Sequence, residues 1–141
     1  MTVNPNDARA WGAAGWVSGF AGDYERSLEC FTRAIRLSPS DPNGYSYYAG
    51  IAHPCFYMRR YDEAIAWADK ALHLEPNFWH ALMIKVAAAA MAERPAALAD
   101  ATRRLLAVRP EFKISRVLPI ARAPPQRELF DVALRKAGLP E

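Results

Sequence analysis

Cysteine is scarce in this chain, and long apolar runs are absent. Cys30 and Cys55 are the only cysteines in 141 residues, too few for the disulfide framework of a small secreted domain. Both are therefore expected to be small buried hydrophobic residues. The longest apolar run covers residues 86–92, far short of the ~20 residues that cross a bilayer. With no signal-peptide pattern at the N-terminus, we expect a cytoplasmic protein that does not enter a membrane.

Sequence patterns that carry chemistry are also missing. The glycines between residues 12 and 22 fall inside or at the end of a helical pattern, which is not a phosphate-binding loop. His53, His73 and His80 do not have the spacing of metal ligands with the two cysteines. No nucleophile can be paired with a base. We therefore expect no catalytic residues, no cofactor and no metal in this chain, and no enzyme activity.

Positive charge is concentrated in the last third of the chain. Residues 1–100 carry 9 Lys and Arg against 11 Asp and Glu, whereas residues 101–141 carry 9 against 4. A basic patch can attract nucleic acid or an acidic protein surface, although it is more often a solvated face. The nine cations of the last third are Arg103, Arg104, Arg109, Lys113, Arg116, Arg122, Arg127, Arg135 and Lys136.

The strongest pattern is a helical hairpin that recurs and ends each time in a proline. Pro39, Pro76 and Pro110 are separated by 37 and 34 residues. A helix–turn–helix unit with a period of 34 residues resembles the tetratricopeptide repeat (TPR). Aligned on its proline, the first copy has a large residue, small residues and aromatics at the consensus positions of this repeat, namely Trp11, Gly15, Tyr24, Ser27, Phe31 and Ala34. The second copy also fits, and the third departs at several positions.

This resemblance implies an all-α fold, a TPR-type solenoid of about three helical hairpins. The first repeat is expected at about 7–39, the second at about 41–76 and the third at about 77–110. Residues 111–141 form a tail that ends in an amphipathic helix from Gln126 to Ala137. Because the last hairpin of a solenoid exposes an apolar face, we expect this helix to cap it.

Local signals mark where individual helices begin and end. Asp7, Asp23 and Asp41 are predicted N-caps, the last of them followed by a proline suited to the first helical position. The Ala-Pro-Pro run that begins at Ala123 is predicted to separate the last helix from the preceding part of the tail. Gly138 is predicted to end that helix in a left-handed conformation.

A narrower resemblance covers nearly the whole chain. Residues 34–42, 49–53 and 60–64, and above all the closing Leu-Arg-Lys-Ala-Gly-Leu-Pro-Glu at 134–141, resemble the C-terminal TPR region of bacterial class III adenylate/guanylate cyclase-like proteins. The resemblance implies a fragment or stand-alone version of a regulatory tail in a bacterial signalling protein, with the catalytic domain absent. Similar tails also follow DNA-binding winged-helix domains. The alternative is therefore the tail of a transcriptional regulator, or contact with nucleic acid through the basic C-terminal third.

The TPR resemblance also implies where a partner binds. The first helix of each hairpin lines a concave groove, and the groove positions give an aromatic and methionine-rich stripe that suits a protein or peptide partner. The residues predicted to contact the partner are Trp16, Phe20, His53, Phe56, Tyr57, His80 and Met83. The stripe lacks the Lys, Asn and Arg set with which some TPR domains clamp a chaperone's C-terminal carboxylate. The C-terminal helix or a second copy of the chain, forming a homodimer, remain alternative occupants.

Overall fold

The computed structural model describes residues 6–120 and 124–141, so Arg122 and Ala123 lie outside the described residues. Within these ranges the chain is helical and contains no strand. The helices are α1 (Ala8–Phe20), α2 (Tyr24–Leu37), α3 (Gly44–Tyr57), α4 (Tyr61–Leu74), α5 (Trp79–Met91), α6 (Pro95–Val108), α7 (Ile114–Val117), which runs into a 3-10 turn at Leu118–Ile120, and α8 (Pro124–Lys136).

The first six helices form three consecutive hairpins. Each helix packs against its partner within the hairpin, and α2 and α4 also contact the first helix of the next hairpin. The first helices contact one another, α1 with α3 and α3 with α5, and we call these three the inner layer. The predicted all-α hairpin solenoid is confirmed, and the inner layer is where the sequence places the groove.

Two of the three predicted N-caps are confirmed, and one is wrong. The Asp7 carboxylate accepts hydrogen bonds from the backbone N–H groups of Arg9 and Ala10, and Asp23 caps α2 in the same way. Asp41 does not cap α3, which begins at Gly44. Its carboxylate instead accepts a backbone hydrogen bond from the N–H of Asn43 at 2.8 Å and a second bond from the Tyr47 hydroxyl at 3.1 Å.

Phe31 holds the first two hairpins together. Its side chain is fully buried, and its ring lies against Gly15 of α1 and Gly50 of α3. A Cβ atom placed on Gly15 would come within 2.8 Å of the ring, and one placed on Gly50 would come closer still. These two glycines therefore let three helices approach a single aromatic ring. The Ser27 hydroxyl adds a buried hydrogen bond of 2.8 Å to the Gly15 carbonyl oxygen.

The helix α5 is buried on every side. All residues from His80 to Ala90 are buried, including Lys85, whose ammonium group lies 2.6 Å from the Asp69 carboxylate on α4. A helix with one solvated face cannot bury eleven consecutive residues, so α5 must be covered on its groove side as well. Cys30 and Cys55 are free thiols buried in the same core, as predicted.

Candidate partner-binding groove

The C-terminal helix α8 packs against the inner layer. It packs on α5 and runs from the first hairpin to the third. At its start the Gln126 side-chain amide donates a hydrogen bond of 2.5 Å to the Tyr24 hydroxyl. In its middle the buried Phe130 ring packs edge-on against Phe56 of α3, with ring centres 6.2 Å apart.

The far end of α8 reaches the turn after α5, where the Lys136 ammonium group lies 3.7 Å from the Glu93 carboxylate. Gly138 follows with φ of 80°, the left-handed conformation predicted for the residue that ends this helix. The helix thus lies across the C-terminal ends of α1, α3 and α5. The N-terminal ends of these three helices are left outside its path.

Five of the seven predicted contact residues meet in one aromatic cluster. The half-buried Trp16 is its centre, with ring centres of Phe20, His53 and His80 at 5.5, 6.1 and 5.0 Å. Tyr57 joins through His53 at 4.9 Å. The cluster draws on all three inner helices, as the repeat positions predict.

The other two predicted residues, Phe56 and Met83, are fully buried. Phe56 lies between Tyr57, Tyr61 of α4 and Phe130 of α8. Neither side chain presents surface to a partner while α8 is docked. A repeat position places a residue on the groove side of its helix, but it carries no information on what covers that side.

The two histidines of the cluster are buried and neutral. Burial among aromatic rings, together with the neighbouring His80, lowers the pKa of His53 to about 3. Burial alone lowers the pKa of His80 to about 4. The Nε2 atom of His80 has no hydrogen-bond partner among the described residues. This unpaired nitrogen is enclosed next to Trp16, where the ring centres are 5.0 Å apart, so it adds a buried polar atom behind the Trp16 ring.

An open pocket of about 230 Å³ adjoins the cluster at the N-terminal ends of α1 and α3. Trp16 forms one wall, and its indole N–H donates a hydrogen bond of 3.1 Å to the Ser46 hydroxyl. Tyr45 forms the opposite wall, and Ala13 and Arg9 are exposed at the rim. We call this the amino-end pocket. The sequence did not mark Tyr45, which comes from the first turn of α3.

The described part of the chain offers little for other chemistry. Among these residues no group of three His, Cys, Asp or Glu side chains is arranged to hold a metal ion. No helix within the same residues has the length and apolar character needed to span a membrane. What the amino-end pocket offers a ligand is aromatic surface, a few hydroxyl groups and the Arg9 cation.

Three solved structures are similar to this chain in fold. The Arabidopsis OM64 TPR domain has a TM-score of 0.70 and 17% identity, over 94% of this chain and 97% of that one. The first TPR of Spaghetti (RPAP3), bound to the HSP90 peptide SRMEEVD, also has a TM-score of 0.70 and 17% identity, over 86% and 96%. The TPR2B domain of yeast Sti1, in a complex with pHsp70, has a TM-score of 0.62 and 24% identity, over 93% and 95%.

The sequence itself matches a family model in two places. Residues 8–41 and 45–78 match the tetratricopeptide repeat, and these segments contain the first two hairpins. No curated protein matches the chain. At identities of 17–24% the solved structures establish the fold alone. This chain therefore carries tetratricopeptide repeats, at residues 8–41 and 45–78, within a TPR-type helical solenoid.

Proposed function

We propose that this chain is a protein-interaction module that holds a peptide segment of a partner in the amino-end pocket, beside α8. The observation that carries the proposal is this pocket, which stays open at the N-terminal ends of the inner helices. Its walls are Trp16 and Tyr45, and an unpaired buried nitrogen of His80 lies next to Trp16. We also propose that residues 77–110 are a third, degenerate repeat.

Aromatic side chains are the usual energetic centre of such a contact. A tryptophan that is half-buried keeps one face for a partner, while its other contacts fix its orientation. In this chain Trp16 is held by Phe31 at 5.6 Å and by the hydrogen bond to Ser46. A preorganised ring loses little conformational entropy on binding, so it favours affinity for an apolar side chain. Of the similar solved domains, the first TPR of Spaghetti is bound to an HSP90 peptide and TPR2B of Sti1 is in a complex with pHsp70, which supports a peptide ligand here.

The parent protein is a separate part of the proposal. We propose that the chain is the regulatory tail of a bacterial adenylate cyclase-like protein and has no catalysis of its own. The resemblance of residues 134–141 and of the repeat segments supports this. The coding sequence immediately upstream of the Met1 codon tests this point. A nucleotide cyclase domain there would support it, and a winged-helix DNA-binding domain would favour the alternative. Incubation of the chain with ATP or GTP and Mn²⁺ is expected to yield no cyclic nucleotide.

We predict that Ala13→Arg weakens peptide binding by at least about tenfold, or ~1.4 kcal/mol. Ala13 is exposed at the rim of the amino-end pocket, so the long arginine side chain would occupy the pocket without removing any packing contact. The probes are peptides selected from a random displayed library on the wild-type chain. Their dissociation constants would be measured by fluorescence anisotropy.

Ala66→Arg is the matched control, because Ala66 is an exposed alanine on the outer helix α4. It makes the same change of size and charge and should leave affinity unchanged. Equal binding by wild type and Ala13→Arg, with both proteins helical by circular dichroism, would place the partner elsewhere. If a second copy of the chain is the occupant, Ala13→Arg should instead convert a dimer to a monomer in size-exclusion chromatography.

A further inference from the structure

Eight cations of the basic C-terminal third lie in the described part of the chain, and four of them form close ion pairs within it. Ion pairs join Arg103 and Arg104 to Asp100 at 2.5 and 3.6 Å, Arg135 to Asp131 at 2.7 Å and also to Glu141, and Lys136 to Glu93 at 3.7 Å. These four cations are therefore partly neutralised by carboxylates of the chain itself.

Three of the other described cations lie close together. Arg109, Lys113 and Arg116 line a pocket of about 190 Å³ where the end of α6 meets α7, which we call the corner pocket. Among residues 6–120 and 124–141, neither Lys113 nor Arg116 has an ion-pair partner within 4.0 Å. One carboxylate, that of Glu111, also lies in the lining. The pocket thus has three cations against one anion.

The floor of the corner pocket is apolar and fixes one of the cations. Trp79, from the first turn of α5, lines the pocket together with the buried Phe112 and Val117. The Arg109 guanidinium group lies over the Trp79 ring, 4.5 Å from its centre. Stacking on a ring restrains the guanidinium plane and leaves its N–H edge available for a planar, two-oxygen acceptor.

Arg109 already meets a carboxylate, but loosely. The closest approach between its guanidinium group and the Glu111 carboxylate is 4.0 Å, which is longer than a direct charge-assisted hydrogen bond of ~2.8 Å. An incoming carboxylate could therefore make a closer contact than Glu111 does. Lys113 and Arg116, which line the same pocket, would add attraction for that carboxylate.

We propose that the corner pocket binds an acidic peptide segment of a partner protein, with an Asp or Glu side-chain carboxylate between Arg109 and the Lys113–Arg116 pair and the neighbouring apolar atoms on Trp79. A protein partner fits better than nucleic acid because Arg109, Lys113 and Arg116 line one pocket, whereas a phosphate backbone is bound by cations spread along a track. The site lies outside the inner-layer stripe and is independent of the amino-end pocket.

The test uses a hexaglutamate peptide with an amidated C-terminus and a neutral rhodamine-type label, so that the probe presents only side-chain carboxylates. Binding to the full chain would be followed by anisotropy at low salt. Lys113→Glu combined with Arg116→Glu should weaken binding by at least about tenfold, because two attractive charges become repulsive. Both side chains are exposed, so the fold should not change. The matched control is Arg26→Glu with Arg36→Glu, two exposed cations on α2, which should change affinity less than about twofold.

Several results would overturn the proposal. One is that the wild-type chain does not bind hexaglutamate. Another is that both charge-reversal variants lose the same amount of affinity, since that loss would reflect net charge alone. Tighter binding of a thymidine hexanucleotide than of hexaglutamate, lost in the Lys113→Glu/Arg116→Glu variant, would assign the pocket to nucleic acid. The Ala13→Arg variant should bind hexaglutamate like wild type, so the outcome here is separate from that for the amino-end pocket.

Discussion

Phe31→Ala is expected to lower the free energy of unfolding by about 3–5 kcal/mol, the usual cost of emptying a fully buried phenylalanine site. The ring lies between Gly15 and Gly50, and neither glycine has a side chain that could move into the space. The cavity would therefore open between three helices, α1, α2 and α3. Chemical denaturation followed by circular dichroism would measure the loss.

The same geometry predicts a reciprocal effect at Gly50. A methyl group there would collide with the Phe31 ring, so Gly50→Ala should destabilise the chain by about 1–3 kcal/mol, although alanine is the better helix former. Combined with Phe31→Leu, the added methyl group finds space. The double variant should then lose clearly less stability than the sum of the two single variants.

Val17→Ala provides the control for these changes. Val17 lies on α1 with 60% of its surface exposed, and its truncation should change stability by less than about 0.5 kcal/mol. Additive losses for Phe31→Leu and Gly50→Ala would contradict the contact between the Phe31 ring and Gly50, because additivity would mean that the two sites do not touch.

Acid is expected to unfold this chain through its two groove histidines. His53 and His80 are neutral in the folded state, with pKa values lowered to about 3 and about 4 by burial, whereas in the unfolded chain both would titrate near 6.5. The stability that depends on their neutrality is fully present above pH 6.5. It is lost as the pH falls from 6.5 towards 4, since the unfolded state then binds more protons.

The expected slope is large. Each histidine that is protonated only in the unfolded state costs about 1.4 kcal/mol per pH unit, so the pair could remove ~5 kcal/mol between pH 6.5 and 4.5. The rings in contact with the two histidines are those of Trp16, Phe20, Tyr57, Phe78 and Trp79, and among the described residues no carboxylate acts to raise either pKa. Urea denaturation at several pH values would measure the slope.

The control is the variant His53→Gln/His80→Gln, which keeps polar side chains but does not titrate in this range. Carboxylates titrate equally in both proteins, so the difference in unfolding free energy between wild type and variant isolates the histidines. As the pH falls below 6.5, the unfolding free energy of the wild-type chain should decrease more than that of the variant. Parallel pH dependences would show that the histidines titrate normally in the folded chain.

Much of the fold could be predicted from sequence because its signals are local. The closing prolines, the capping side chains Asp7 and Asp23 and the apolar spacing within each hairpin all act over a few residues. Asp41 shows the limit of such signals. Aspartate is a residue type that often caps helices. The Asp41 carboxylate instead accepts hydrogen bonds from the Tyr47 hydroxyl and from the N–H of Asn43 in the turn before α3.

The path of α8 could not be predicted, and it decides what remains of the groove. The sequence predicted this helix as a cap and left it as one of the alternative occupants of the groove, without deciding between them. The structure packs its buried Phe130 against Phe56 of the inner layer. That choice depends on contacts far apart in sequence, such as Gln126 with Tyr24. The corner pocket was missed for the same reason, because Trp79 and Arg116 meet only in the folded chain.

The indole N–H signals of the four tryptophans offer the most direct test of where a partner binds. Trp16 lies in the amino-end pocket, Trp79 in the corner pocket and Trp67 on the outer helix α4. In a ¹⁵N–¹H spectrum of the labelled chain, titration with a selected peptide should shift the Trp16 signal most and leave Trp67 unchanged. A shift of Trp67 with Trp16 unmoved would contradict binding in the groove beside α8.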